Sequence, residues 1–303
     1  MSELRRLHIT VPRFLLRLLV RFLPFYRGGV RLAQSPLFKY LSATDEILLT
    51  RLKTGPRIMF NINDYIGRSI YYWGDYDRKI THICKCILKE GDCFLDIGAN
   101  IGDVGLSATV FVGLSGQVHF FEPQPHICNY IRKSIRINHF NNAYVHEIAL
   151  SDREGECLLS VPLDNVGAAS LEPKSDDVAH TLRVRTCNAS EYFGKIGLPR
   201  IKAIKLDVEG HEEKVLAGAY EFLEPNRPVA VIFESHDNGT PFFERGEVKL
   251  LSELNYSFFQ IRQRPLFKVE LLEITSNSIE TGYDFVALLK SEVDYYRNFL
   301  SIV

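Results

Sequence analysis

Apolar runs of strand length alternate with amphipathic stretches of helix length over the last two thirds of the chain. The strand-like runs cover residues 93–99, 117–123, 143–149, 201–209, 228–235, 256–262 and 283–290. The helical patterns between them cover about residues 103–113, 125–139, 211–223 and 242–254. Apolar strands that alternate with helices are typical of a mostly parallel sheet with helices on both faces. We therefore expect an α/β fold with a doubly wound, seven-stranded sheet, in which the closely spaced last two strands place an antiparallel strand at one edge.

The interval 155–187 interrupts this alternation. Two short strand-like runs, ECLLSVP and TLRVRTC, flank the small-residue turn VGAAS, which is the pattern of an antiparallel pair. We interpret the interval as an insertion in a domain that covers residues 86–303. Residues 1–85 lack the alternation and form an N-terminal region with an amphipathic helical extension and an aromatic stretch, DYIGRSIYYWGDYD.

Residues 8–23 are rich in leucine and phenylalanine, but Arg13, Arg17 and Arg21 interrupt them. These charges argue against a membrane-spanning helix. Arginines four residues apart lie on one helical face and apolar side chains cover most of the rest, so two interpretations stay open. The helix lies on an anionic membrane surface, or it packs on the body of the protein with its arginines in water. No export signal is recognised, so we expect a cytoplasmic protein, which the first interpretation places peripherally at the inner face of a membrane.

The charges of the whole chain nearly cancel, with 36 Lys and Arg against 37 Asp and Glu. A nucleic-acid partner usually requires a basic surface, so we expect none. The six cysteines show neither C-x-x-C spacing nor histidines at zinc-finger spacing, which indicates reduced structural thiols rather than a zinc site.

The first strand-to-helix junction, FLDIGANIGDVG, has the composition of a ligand-binding loop. Gly98 and Gly102 let a ligand approach the backbone at a helix N-terminus. Their spacing differs from the G-x-G-x-x-G of dinucleotide sites. Asp96 does not favour a pyrophosphate, whereas it favours a ligand with a positive amine or sulfonium. An NAD-dependent oxidoreductase is therefore disfavoured.

Polar and acidic residues also follow the next strands. Glu122, in FFEPQP, is placed to accept hydrogen bonds from a ribose diol. Ser151 and Asp152 follow the third strand, where they either meet an adenine edge or form a simple polar turn. Asp207 and Glu209 share one face at the end of the fourth strand. An acidic pair at the end of a buried strand requires a functional reason, because burying charge without a partner is costly.

Together these motifs resemble one family. DIGANIG, FEPQP, ALSDREG, the VGAAS turn and KLDVEGHEEKVLAGA, in this order and spacing, closely resemble the FkbM family of methyltransferases over about residues 60–235. The resemblance implies a Rossmann-like class I methyltransferase fold, S-adenosylmethionine as methyl donor, and O-methylation of a glycan, glycolipid or natural-product-like acceptor. The implied cofactor-binding residues are Asp96, Gly98, Asn100, Gly102, Glu122, Ser151, Asp152 and Asp207. The resemblance implies that Asp96, Gly98 and Asn100 line the methionine side of the cofactor. It also implies that Glu122 holds the ribose and that Asp207 faces the transferred methyl group.

Methyl transfer from a sulfonium is an in-line displacement, so an enzyme must align the acceptor oxygen with the methyl carbon and provide a base for the hydroxyl proton. The candidate catalytic residues are Asp207, Glu209, His211, Glu234 and His236, of which we expect Asp207 to be essential. A Mg²⁺ ion bound by Asp207, Glu234 and Asp237 is an alternative means of polarising the hydroxyl, and we favour catalysis without a metal.

The aromatic residues Tyr71, Tyr72, Trp73 and Tyr76 either form a platform for a sugar ring or pack the N-terminal region onto the sheet. Two other functions stay open beside O-methylation of a small-molecule or glycan acceptor. One is methylation of nucleic acid, which the near-neutral charge disfavours. The other is a catalytically inactive methyltransferase fold that serves as a scaffold.

Overall fold

The computed structural model of the chain describes residues 3–22, 29–162, 169–172, 178–236, 239–264, 268–276, 283–297 and 299–303. The N-terminal region contains a two-stranded antiparallel sheet among five helices. Its elements are α1 (Glu3–Phe22), α2 (Gly29–Ala33), α3 (Pro36–Ser42), β1 (Ile47–Arg51), β2 (Arg57–Asn61), α4 (Tyr65–Trp73) and α5 (Arg78–Ile87).

The rest of the chain builds an eight-stranded sheet, its helices and a smaller three-stranded sheet. In chain order the elements are β3 (Cys93–Ile97), α6 (Asp103–Phe111), β4 (Gln117–Phe121), α7 (Pro125–Ile137), β5 (Ala143–His146), β6 (Ala149–Ser151), β7 (Gly155–Pro162), β8 (Val178–Asn188), α8 (Ala189–Ile196), β9 (Ile201–Leu206), α9 (Glu212–Leu223), β10 (Ala230–Glu234), α10 (Gly246–Glu253), β11 (Tyr256–Arg264), β12 (Lys268–Glu273), β13 (Asp284–Leu289) and α11 (Val293–Tyr296).

The large sheet has the strand order β12-β11-β13-β10-β9-β3-β4-β5. The pairs from β10 to β5 are parallel, whereas β13 is antiparallel to both of its neighbours. The expected doubly wound α/β class is confirmed, with two corrections. The sheet has eight strands rather than seven because β12 pairs with β11, and the expected antiparallel strand β13 lies inside the sheet rather than at its edge. The apolar run of β13 fits this inner place, because its residues 285–288 are buried on both faces.

Successive residues of the central strands point to opposite faces of the sheet. Phe94 of β3 packs into a cluster with α5, α6 and α7, and Leu95 packs into a second cluster with α8, α9 and α10. The first cluster also contains Phe60 and Ile70 of the N-terminal region. The two regions predicted from the sequence therefore share one apolar core.

The predicted strand at residues 143–149 is divided between two sheets. β5 ends at His146, and β6 starts at Ala149 and pairs in parallel with β8. β7 and β8 form the expected antiparallel pair. The division occurs because β5 continues the large sheet beside β4, whereas β6 continues the sheet of the insertion. The first part of the VGAAS turn lies outside the described residues.

Arg13, Arg17 and Arg21 of α1 face the protein, whereas most of its described apolar side chains face solvent and only Val20 and Leu16 pack on the core. This is the reverse of the packing expected if the helix covers the body of the protein. Arg13 is buried, and its Nη2 donates to Glu46 Oε2 at 2.7 Å. Arg17 and Arg21 donate to Thr50 Oγ1 at 2.6 and 3.1 Å. Among the described residues, no helix is long and apolar enough to cross a bilayer.

Candidate active site

The loop between β3 and α6 is tied to the ends of two neighbouring strands. The amides of Gly98 and Ala99 both donate to the Phe121 carbonyl oxygen at 3.0 Å. Gly98 has a φ of +72°, and a Cβ there would lie 1.8 Å from the Asp207 carbonyl oxygen. Only glycine fits this position, because both the backbone conformation and the close approach exclude a side chain.

Glu122 lies at the end of β4, where backbone amides fix its carboxylate. Oε2 accepts from the Asn100 amide at 3.0 Å, and Oε1 accepts from the Gln124 amide at 2.9 Å. The side chain is only 4% exposed, and burial raises its pKa to about 7 although both amide hydrogen bonds lower it. Each carboxylate oxygen carries two acceptor positions, so capacity remains for a ligand diol.

Lys205 of β9 is a site residue that sequence reasoning missed. Its buried ammonium donates to the Gly98 carbonyl oxygen at 2.6 Å and lies 3.2 Å from Asp207 Oδ2 and 3.6 Å from Asp96 Oδ1. Burial lowers the pKa of this lysine, but the two carboxylates outweigh burial and raise the pKa above its ordinary value. A lysine within the apolar run IKAIKLD was the available signal, because a buried ammonium requires partners.

The turn between β9 and α9 is held in an unusual backbone conformation. Glu209 has a φ of +54° and Gly210 a φ of +99°. Glu212 Oε1 accepts from the Val208 amide at 3.0 Å and from the Gly210 amide at 3.3 Å. A non-glycine residue with positive φ is strained, so Glu212 stabilises a turn that would otherwise relax. Glu212 therefore fixes the backbone of this turn, in addition to the favourable interaction of any acidic residue with a helix N-terminus.

Two cavities meet at the carboxyl ends of β9 and β10. The narrow cavity, of about 50 Å³, is lined by Ile97, Gly98, Asn100, Phe121, Glu122, Pro123, Gln124, Ile148, Ala149, Leu150, Leu159, Ala169, Leu171, Asp207, Val208, Glu209 and His211. The wide cavity, of about 680 Å³, is lined by Val30, Arg31, Lys53, Tyr65, Ser69, Trp73, Asp75, Tyr76, Asp77, Arg78, Lys79, Asp207, Glu209, Glu234, Gln263, Tyr283 and Asp284. Asp207 and Glu209 belong to both cavities and mark their junction.

Several predicted residues lie beside the cavities rather than in their walls. Asp96 is fully buried under α6, where Oδ2 accepts from the Gly105 amide at 2.8 Å, and Gly102 is the N-cap of the same helix. Burial raises the pKa of Asp96 to about 6 against the opposing effect of Lys205. The geometry gives Asp96 a role in positioning the loop. Its predicted contact with the cofactor stays a prediction.

His211 is buried on the side of the narrow cavity. Its Nε2 lies 3.0 Å from Ser151 Oγ, which also donates to Asp152 Oδ1 at 3.1 Å, and its Nδ1 lies 3.4 Å from Glu172. Burial is the main cause that lowers the pKa of His211. Ser151 and Asp152 stand behind the wall that Ala149 and Leu150 form, and His211 does not line the wide cavity. The three residues are therefore brought together, and of them His211 lines the narrow cavity, as Asp207 and Glu209 do.

The wide cavity carries an excess of carboxyl groups. Glu234 at the end of β10 has a pKa raised to about 10, first by burial and then by Asp207, Glu209 and Asp284. Asp75 has a pKa raised to about 7 by burial and by Asp103, and Lys79 pairs with Asp284. At neutral pH Glu234 therefore keeps its proton and is a hydrogen-bond donor.

All four aromatic residues pack in or against the apolar core, and two of them also line the wide cavity. Tyr71 and Tyr72 are buried in the core, where Arg17 lies 4.7 Å from the Tyr71 ring centroid and Phe38 packs edge-on against Tyr72. Trp73 and Tyr76 line the wide cavity. The sequence could not separate the four, because the separation depends on how α4 is rotated against α1 and α3.

Glu209, Glu234 and His236 could hold a metal ion, since one ligand atom of each lies within 4.8 Å of the others. His236 Nε2 is 3.6 Å from Glu234 and 4.0 Å from Glu209, so the histidine is close to both carboxyl groups. Asp237, a predicted magnesium ligand, lies outside the described residues. All six cysteines are free thiols, as expected.

The lining of both cavities fits S-adenosylmethionine. Ile148, Leu159 and Leu171 offer apolar walls to an adenine, and Glu122 is placed for a ribose. The carboxyl groups at the junction complement a sulfonium.

Comparison with known proteins places the chain in a family. The model of the methyltransferase FkbM domain matches residues 96–265, more than half of the chain. No curated protein matches the chain in sequence.

Solved structures resemble the chain more distantly. An S-adenosylmethionine-dependent O-methyltransferase from Thermotoga maritima is 15% identical, with 80% of this chain and 77% of that chain covered and a TM-score of 0.39. Fibrillarin from Aeropyrum pernix, with natively bound S-adenosylmethionine, is 12% identical, with 81% and 100% covered and a TM-score of 0.40. Both TM-scores are below 0.5, so the family match alone identifies the chain. The chain belongs to the FkbM family and is an S-adenosylmethionine-dependent methyltransferase.

Proposed function

We propose that this protein transfers a methyl group to a hydroxyl oxygen of a polyhydroxylated acceptor such as a glycan or glycolipid. The observation that carries the proposal is the meeting of the two cavities at Asp207 and Glu209. A donor in the narrow cavity and an acceptor in the wide cavity would face each other across these carboxylates. Alignment of the reacting atoms is the main requirement of such a displacement.

The wide cavity has the chemistry of a sugar site. Trp73, Tyr76 and Tyr283 offer aromatic surfaces to a sugar ring, while its carboxyl and amide groups offer acceptors to several hydroxyls. Over the whole chain, 36 Lys and Arg are balanced by 37 Asp and Glu. This balance supports a neutral acceptor over a nucleic acid, whose binding depends on basic contacts.

S-adenosylmethionine, when bound, supplies an electrophilic methyl group on a sulfonium. Glu122 holds the ribose, Gly98 and Asn100 form the cradle of the loop, and Asp207 accepts the hydroxyl proton of the acceptor. Lys205 orients the Asp207 carboxylate from 3.2 Å away. Glu234 keeps its proton at neutral pH and donates a hydrogen bond to the acceptor, because its pKa is raised to about 10.

Calorimetric titration of S-adenosylmethionine into wild type and Glu122→Gln tests the donor site. We expect the variant to bind at least about tenfold more weakly, since a charge-assisted hydrogen bond contributes about 1.5–3 kcal/mol. The affinity of wild type for S-adenosylmethionine should increase as the pH is raised through about 7, the pKa of Glu122. The reason is that the ribose diol donates its hydrogen bonds more favourably to the ionised carboxylate. The affinity of the variant should lack this dependence on pH.

Glu253→Gln, an exposed change on α10, is the matched control and should bind as wild type does. A folded wild type that binds no S-adenosylmethionine would support the inactive scaffold instead. The acceptor class is tested with methyl-labelled donor and separate pools of glycans, glycolipids and RNA. A labelled product that resists mild alkali contains a methyl ether, as the proposal expects. Label found in RNA alone would refute the proposed acceptor.

A further inference from the structure

An apolar stripe runs along the solvent side of α1. It consists of Val11, Phe14, Leu15, Leu18 and Leu19, whose exposed fractions lie between 42% for Leu18 and 65% for Leu19. The spacing i, i+3, i+4, i+7, i+8 places these side chains on one helical face. Such a face normally packs against a core, but here α1 packs through the opposite side.

The fold fixes the rotation of α1. Arg13 is paired with Glu46, and Arg17 and Arg21 both donate to Thr50 Oγ1 of β1. Turning the apolar stripe inward would break all these contacts and leave the buried Arg13 without its carboxylate. The outward direction of the stripe is therefore a built feature of the described chain.

Neighbouring helices add further exposed apolar residues. α3 contacts α1 and buries Phe38 and Leu41, while Leu37 and Tyr40 of α3 are exposed. α2 contacts α3 and α4, and Leu32 of α2 is also exposed. The same α2 supplies Val30 and Arg31 to the wall of the wide cavity.

The charge distribution favours an anionic partner for this end of the molecule. Up to residue 57, the exposed charged side chains among the described residues are one acid, Asp45, and the bases Arg31, Lys39, Arg51, Lys53 and Arg57. Since the arginines of the stripe's own helix face the protein, these bases supply the positive charge of this surface, and Lys39 lies on α3, which contacts α1. Exposed leucine and phenylalanine with surrounding basic residues are the combination by which helices bind anionic bilayers.

We propose that the apolar stripe docks on an anionic lipid bilayer, with the stripe in the interfacial layer and the α2 wall of the wide cavity beside the headgroups. The stripe has five side chains on one convex helix, whereas stable protein interfaces use about 20–30 residues a side. A bilayer needs no complementary shape. Docking of this kind does not depend on the proposed acceptor, but it would bring lipid-borne glycans to the cavity.

Flotation of the full chain with phosphatidylcholine vesicles, with and without phosphatidylglycerol, tests the proposal. We expect wild type to float with the anionic vesicles and to bind neutral ones more weakly. The double variant Leu15→Glu/Leu19→Glu should partition at least about tenfold less. The matched control Leu114→Glu/Leu158→Glu changes two exposed leucines elsewhere and should float as wild type does.

Two outcomes would overturn the proposal. One is equal flotation of wild type and the Leu15→Glu/Leu19→Glu variant, and the other is a wild type that does not float. A wild-type dimer that this variant converts to monomer would assign the stripe to a second copy of the chain instead. Affinity for S-adenosylmethionine, measured on every variant, should stay unchanged, so that failure of docking is distinguishable from failure of the methyltransferase site.

Discussion

At the scale of single residues, one lysine organises the junction of the two cavities. Lys205 joins the Gly98 carbonyl, Asp96 and Asp207, so the β3–α6 loop and the end of β9 depend on the same ammonium. Its charge balances carboxylates that would otherwise take up protons. The order of the site therefore depends on a residue that need not touch the acceptor.

We expect Lys205→Met to lower the free energy of unfolding by about 3–5 kcal/mol at pH 8, because the change leaves buried carboxylates without their partner. The loss should be smaller at pH 5. Without the ammonium the folded pKa of Asp96 rises further above its unfolded value, so the folded variant favours the protonated acid and loses stability as the pH rises. Urea unfolding at both pH values measures this, with Lys205→Met/Asp96→Asn expected to recover part of the loss. A loss independent of pH would contradict the assigned role.

Glu234 offers a second test at the same scale. Because its raised pKa keeps it protonated, Glu234→Gln should retain methyl transfer within about threefold and should raise stability above pH 5 by about 1 kcal/mol or more. The sign follows because the unfolded glutamate ionises near its ordinary pKa while the folded one does not, so wild type loses stability as the pH rises towards 10. Asp207→Asn, in contrast, should abolish transfer. Loss of transfer in Glu234→Gln would instead make Glu234 the base or a metal ligand.

At the scale of elements, β4 and β5 are joined by a polar chain across one face. His119 Nδ1 lies 3.0 Å from His146 Nε2, His146 Nδ1 lies 3.2 Å from the Tyr192 hydroxyl, and His119 Nε2 lies 3.2 Å from Gln117 Oε1. Burial lowers the pKa of both histidines to about 4. Two neutral imidazoles therefore form part of the packing between these strands and α8.

This pair should make stability depend on pH. The folded pKa values lie below the ordinary value of 6.5, so the full stabilisation is present above pH 6.5 and is lost as the pH falls towards 4. We expect His119→Gln/His146→Gln to be less stable than wild type at pH 7, with a difference that shrinks by at least about 1 kcal/mol at pH 4.5. Urea unfolding of both proteins at the two pH values measures the difference in stability. The pH dependence that comes from their shared acidic groups cancels in this difference. A constant difference would mean that the pair contributes packing alone.

At the scale of the whole molecule, the N-terminal region completes the site rather than standing beside it. The wide cavity takes one wall from α2, α4 and the start of α5, and the other from the ends of β9, β10 and β13. The same region carries the apolar stripe and has more Lys and Arg than Asp and Glu. The proposed acceptor cavity and the proposed docking surface thus share one part of the fold, and the proposed donor cavity lies at the sheet.

The sequence by itself determined the parallel sheet, its helices, the antiparallel pair of β7 and β8 and the strand ends that carry Glu122, Asp207 and Glu209. Periodicity and the positions of acids after apolar runs are local properties, so they can be recognised along the chain. The family resemblance added the donor, because several motifs agreed in order and spacing.

Only the tertiary structure decided the inner position of β13, the exposed side of α1 and the place of His211 in the wall of the narrow cavity. It also identified Lys205, whose partners come from two strands more than one hundred positions apart. An amphipathic pattern fixes which residues share a face but not what that face meets. That choice depends on long-range contacts, such as those of Arg13, Arg17 and Arg21 with β1 and the residue before it, which no local pattern records.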